Sequence, residues 1–175
     1  MSKNFAMSCL GALLGVSAAL IIHEPLKIAF AQKAAPVAAT SQAKLEVAAA
    51  LQNYMKVFNE RNFKAVAEDV WTNPSVGFSD KGITMIDLEA HLKRSQGVYS
   101  TLDKIGWDRT DTPVSTVCIL NENAALISGD YRRLRKDGSV IEQSGSVNLF
   151  SKGPGGWKMV ARIITAPSKT ATCVD

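Results

Sequence analysis

Histidine is almost missing from this chain. Of its 175 residues only His23 and His91 are histidines, and His23 stands in an N-terminal stretch that reads as a targeting segment. A metal site of two or three histidines cannot be assembled within one chain, and most nucleophile–histidine–acid triads go with it. Cysteine is scarce too, at three, with no Cys-x-x-Cys spacing. A Gly-x-Ser-x-Gly elbow and a glycine-rich phosphate loop are also absent, so neither a serine hydrolase nor a nucleotide enzyme finds support. Neither sign of charge dominates. Twenty Lys and Arg against 16 Asp and Glu leave +4, too small and too dispersed for a nucleic-acid footprint. A single long apolar run excludes a multispan membrane protein. What is present, 46% apolar and 21% charged residues, suffices for one hydrophobic core but not two, and is too apolar for disorder.

The apolar run is Phe5 to Ile22, 18 residues without a charge behind Lys3. It reads as an export signal. Its length also meets the lower limit for a spanning helix, so an uncleaved anchor at residues 5–22 is the alternative, and contact with a membrane follows only in that case. His23 and Pro25 end the run, and Ala29-Phe30-Ala31 offers small residues to a signal peptidase, predicting removal of residues 1–31 and a start at Gln32. Cys9 has no apolar stretch before it and cannot accept a lipoprotein lipid. Export to the periplasm or the cell exterior puts Cys118 and Cys173 in an oxidising compartment. Either they pair and staple the C-terminal tail to a strand, or Cys118 is a small buried hydrophobe and Cys173 stays loose.

Residues 32–43, rich in Ala with Pro, Ser and Thr, read as a flexible spacer, and the folded domain spans residues 44–167 with a tail at 168–175. Val47, Leu51, Tyr54, Met55 and Phe58 recur at helical spacing up to Asn59. Asn62 caps a shorter second helix with Phe63, Val66 and Val70 inward, ended by Asn73-Pro74. Ser75 to Ser79 is a short strand candidate, followed by a Lys81-Gly82 turn. A third helix opens at Thr84 with Asp87 three residues on, and Leu88, Leu92 and Tyr99 make its inner stripe. After Gly106 the period changes to two. Turns at Asn121-Glu122-Asn123, Asp137-Gly138 and Gly153-Pro154-Gly155-Gly156 divide the remainder into strands 107–120, 124–135, 139–151 and 157–166.

Tyr54 with Asn59 and Phe63, then Ser128-Gly129-Asp130-Tyr131, Asp137-Gly138, Gly145 and Gly156-Trp157-Lys158-Met159-Val160 carry a resemblance along residues 44–167. In order and spacing the chain resembles the nuclear transport factor 2-like (NTF2-like) superfamily, with its SnoaL-like polyketide cyclases, ketosteroid isomerase and small uncharacterised families of the DUF4440 type. That resemblance implies an α+β, cystatin-like cone in which three N-terminal helices pack on a curled antiparallel sheet. It also implies a conical pocket open at one end and a homodimer formed through the outer sheet face. It implies no single activity, because this fold hosts isomerases, dehydratases, cyclases and assembly domains.

Residue by residue, the enzymatic comparison matches poorly. Steroid isomerisation needs a carboxylate base and an oxyanion hole of tyrosine and protonated aspartate, a case worked out in general terms for that enzyme. Tyr54 matches the tyrosine. The base falls near Gly77-Phe78-Ser79 and the second acid near Ser146-Val147-Asn148, where no carboxylate stands; Asp80 is the nearest acid and sits at a turn. The related families' last-strand pattern, Trp-x-Ile-x-His-x-His, is replaced by Ala161 and Ile163 at the histidine positions. The catalytic candidates that remain are Tyr54, His91 and Asp130. His91, beside Asp87 and Arg94, falls on the flank of the third helix and reads as solvated, with a His91–Asp87 general base as the alternative. The expected ligand lining is Tyr54, Trp71, Phe78, Trp107, Tyr131 and Phe150, with Arg162 and Asp130 as polar anchors, unless these aromatics fill the core. A small, mostly apolar molecule is the partner this lining suggests, with no metal or cofactor implied. A membrane-anchored or secreted assembly module is the alternative. Arg132, Arg133, Arg135 and Lys136 at one hairpin tip read as a solvated strand or, alternatively, a contact for an anionic surface.

Overall fold

Alanine and straight-chain side chains favour helix, and α1 (Val37–Asn59) starts within the stretch expected to be a spacer. Residues 37–43 are therefore helix. Its inner stripe is Val47, Leu51, Tyr54 and Phe58, all buried. In the computed structural model the described residues are 37–79, 82–113 and 115–173. The export signal or anchor, its cleavage step, Cys9, His23, Asp80 and Lys81 lie outside the described residues. Among those described, no helix is long and apolar enough to cross a membrane.

Asn62 caps α2 (Phe63–Ala65) by accepting from the Ala65 amide at 3.0 Å, and the helix continues as one wide π turn, Val66–Val70. Val66, Ala67 and Val70 face the core; Phe63, expected inward, stands at the surface, 37% exposed. The chain then becomes β1 (Trp71–Ser79), so the strand begins before the cis Asn73–Pro74 peptide.

Residues expected to open the third helix form a strand instead. β2 (Gly82–Ile86) pairs antiparallel with β1, Thr84 opposite Gly77. The hairpin packs tightly there, since a Cβ on Gly77 would stand 2.7 Å from Ile86 Cδ1. α3 (Leu88–Lys104) starts later, capped by Asp87, whose Oδ1 accepts from the Ala90 amide at 2.9 Å. Its buried stripe is His91, Ser95, Tyr99 and Leu102. The expected Leu88 and Leu92 lie at the edge of that stripe, half-buried. Apolarity misplaced the face because part of it looks onto polar surroundings.

The strand expected at 107–120 is two, β3 (Arg109–Asp111) and β4 (Ser115–Asn121), interrupted around Pro113, which has no N–H for a ladder. Both pair with β5 (Ala124–Leu134), which pairs with β6 (Val140–Gly153), and that with β7 (Gly156–Thr165). The seven-stranded sheet runs β2-β1-β7-β6-β5-β3, with β4 also on β5. It is mixed rather than wholly antiparallel, because β1 runs parallel to β7. The three C-terminal turns stand where turn chemistry put them, with Gly138 and Gly156 at positive φ. α1 packs on β3, β4 and β7, and Phe58, Leu102, Trp107, Ile127, Phe150 and Met159 fill the space between.

A bulge and a tethered tail shape the two faces of this sheet. β7 carries the bulge at Val160: Phe150 pairs with Met159 but Leu149 with Ala161. The extra residue reverses the alternation, so Trp157 and Met159 point into the core and, beyond it, Arg162 and Ile164 turn inward. At the C-terminus the tail crosses β4 and β5, held by a Cys118–Cys173 disulfide with Cα atoms 5.5 Å apart. The Ala171 amide donates to Ser128 Oγ at 2.7 Å and the Ser168 amide to Asp130 Oδ1 at 2.9 Å.

Candidate functional site

The bulge delivers Arg162 into a cavity of about 180 Å³ between α1, α2, α3 and the sheet. Tyr54 comes from the inner stripe of α1, Trp71 from the start of β1, and Tyr131 from the inward parity of β5. Arg162 Nη1 donates to the Tyr54 hydroxyl at 2.6 Å, and its guanidinium lies 5.4 Å from the Tyr54 ring centre and 5.1 Å from that of Tyr131. Two aromatic faces thus hold one cation in place. Its Nε is buried without a partner.

Arg133, from β5, donates to Glu142 Oε2 at 2.9 Å and lies over Tyr131. Arg94 reaches the cavity from α3. No Asp or Glu lines it. The site is therefore cationic and aromatic, where a mostly apolar lining was expected.

His91 is not solvated. It is 2% exposed, stacked on Trp71 with ring centres 4.8 Å apart, and its Nε2 lies 2.5 Å from Ser75 Oγ, itself fully buried. Burial, and secondarily the nearby Arg94 charge, lower its pKa from 6.5, against a smaller opposing pull from Asp87. The imidazole is therefore neutral near pH 7. It shares one proton with Ser75, as donor or as acceptor. Asp87 is occupied by the α3 cap, so a His91–Asp87 general base is not assembled.

The other expected site residues separate cleanly. Tyr54, Trp71, Tyr131 and Arg162 line the cavity. Trp107 and Phe150 are core: Trp107 packs edge-on against Phe58 and donates through Nε1 to Thr110 Oγ1, and Phe150 is 1% exposed. Phe78 points outward from β1, 49% exposed. Asp130 has the opposite parity to Tyr131 and holds the tail and Gln143 on the outer face, so it neither catalyses in nor anchors a ligand to this cavity. Near the second-acid position, Asn148 donates to the Ile127 carbonyl at 3.2 Å and its Oδ1 is buried unpartnered. At the hairpin tip, Arg132 forks onto Asp111 and Arg133 makes a single bond to Glu142, so much of the expected positive charge is locally neutralised.

Sequence reasoning missed Arg94, Ser95, Val98, Thr110, Arg133 and Ile164 in the cavity lining, and Ser75 bonded to His91. The three on α3 follow His91 at helical spacing, a signal visible once a polar stripe is allowed to face inward. The bulge that aims Ile164 left none. Among the described residues no group of three or more His, Cys, Asp or Glu is placed to hold a metal.

Residues 45–167 match a family described as NTF2-like protein (DUF6841). Among curated proteins none matches significantly. Several solved structures share the fold. An NTF2-like protein with a cystatin-like fold from Novosphingobium aromaticivorans superposes with TM-score 0.59 at 16% identity, covering 75% of this chain and 86% of that one. An NTF2-like superfamily protein from Salmonella enterica serovar Typhimurium gives 0.55 at 16%, covering 75% and 96%. A protein from Catenulispora acidiphila in complex with S-DNPA gives 0.56 at 16%, covering 71% and 92%. At these identities the likeness concerns the fold alone.

Proposed function

Because this chain belongs to the NTF2-like protein family (DUF6841), whose match spans residues 45–167, we propose that it acts as an exported binding protein for a small organic molecule held in the cone. The observation that carries this is the formed cavity of about 180 Å³ walled by Tyr54, Trp71 and Tyr131. A cavity of about 150 Å³ accepts benzene, so the space suits a ligand of one ring or similar bulk. Export is supported by the Cys118–Cys173 bond, which an oxidising compartment maintains. A second copy on the outer face belongs to the same proposal: Phe78, Ile83 and Met85 expose 49%, 70% and 65% there, and apolar surface of this kind favours association.

The test is heteronuclear NMR of the disulfide-intact protein titrated with single-ring fragments. Binding shifts signals of Tyr54, Trp71, His91 and Tyr131 together. Shifts confined to the outer face, or none, refute the reading.

One observation favours a second reading, a cyclase, isomerase or dehydratase. A neutral His91 in the cavity wall supplies a proton acceptor where the expected carboxylates are missing. If it acts so, His91→Gln abolishes turnover of a bound ligand while leaving its binding intact.

A further inference from the structure

The cavity carries an electrostatic imbalance. Arg94, Arg133 and Arg162 line it and no carboxylate does. Arg133 has its counter-charge in Glu142. Among the described residues, Arg94 and Arg162 form no ion pair with an acid. Arg162 is half-buried, its Nη1 engaged by a neutral hydroxyl and its Nε sealed off without a partner. A guanidinium drawn out of water without an anion is costly, and aromatic faces recover only part of that cost. The arrangement is one an anion completes. Having accepted from Arg162, the Tyr54 hydroxyl also keeps its own proton free to donate.

Resting on the small-molecule reading above, we propose that the cavity is a carboxylate-binding site: the carboxylate of a small, single-ring-sized acid sits against Arg162, Tyr54 Oη and Arg94, with its apolar body on Trp71. A planar fork of N–H donors matches a carboxylate's two oxygens. The space admits little more than one ring and this group. A phosphate would favour the amides of a helix N-terminus, but at α3 the Asp87 carboxylate already takes that place.

The test is isothermal titration calorimetry of the full, disulfide-intact chain with benzoate and with its neutral isostere benzamide. Saturable benzoate binding that weakens with added salt is expected, with benzamide weaker by about tenfold or more. Arg162→Gln should reduce benzoate to about the benzamide level, with a much smaller loss for benzamide. Arg94→Gln, on an exposed helical position, should weaken benzoate without affecting folding. Arg109→Gln, whose charge pairs with Asp108 outside the cavity, should change neither. Equal binding of the two probes, or benzoate affinity insensitive to both cavity arginines, overturns the carboxylate assignment and leaves the small-molecule reading standing. Failure of both probes to bind at millimolar concentration overturns both.

Discussion

Removing the Cys118–Cys173 bond is the perturbation whose size comes most directly from the fold. The two cysteines are 55 residues apart in sequence, so the bond closes a long loop in the unfolded chain. The loop-closure relation, with that length, gives an entropy of about 14 cal/mol/K and a stabilisation of about 4 kcal/mol at 25 °C. Two corrections reduce it. Residual structure in the unfolded chain lowers the entropy gained, and the tail keeps its bonds from Ala171 to Ser128 and from Ser168 to Asp130 in either case. The double variant Cys118→Ala/Cys173→Ala should therefore lose about 2–4 kcal/mol in urea denaturation under non-reducing conditions, or roughly 5–15 °C in Tm. Reductant should bring the native protein down to the level of the variant and leave the variant where it is. A loss below about 0.5 kcal/mol, or a variant still sensitive to reductant, would refute the view that the tail is stapled to β4.

Three further predictions concern the elements around the cavity. Because burial lowers the His91 pKa from 6.5, the unfolded chain takes up that proton first, so the His91 contribution to stability is full above about pH 6.5 and is lost as pH falls toward the lowered value. Urea midpoints at about pH 7.5 and about pH 5.5 should show the fall, and His91→Gln should flatten it; a steeper slope in the variant would contradict the assignment. Asp87→Ala removes the α3 cap and should cost about 1 kcal/mol by the same assay, whereas no change would mean that helix begins elsewhere. Ile83→Lys puts a charge on the exposed β2 face and should convert a dimer to monomer in light scattering, with an unchanged mass arguing against association through that face.

Much of this architecture is legible in the residues, and the exceptions share a physical origin. The stripe from Val47 to Phe58, the Asn62 cap and the Asp137-Gly138 hairpin are local, so periodicity and turn chemistry find them. β2 is hidden because Ile83-Thr84-Met85-Ile86 runs straight into a capped helix, and pairing with β1 decides its state. The split between β3 and β4 was marked by Pro113 and could have been read from it. The cavity is harder. Tyr54, Trp71, Tyr131 and Arg162 were identifiable as aromatic or cationic residues on the right elements, but the neighbours beyond the β7 bulge depend on one unpaired residue that no alternation rule reveals. His91 was misplaced for a different reason: a histidine reads as polar surface until Ser75 and Trp71 are brought to it from β1.

The most direct test of the central claim is a crystal structure of the protein grown with benzoate. The account predicts the ligand inside the cavity, its ring on Trp71 and its carboxylate within hydrogen-bond reach of Arg162 and Tyr54 Oη. Benzoate found only elsewhere, or a cavity occupied by the protein's own side chains, would contradict it.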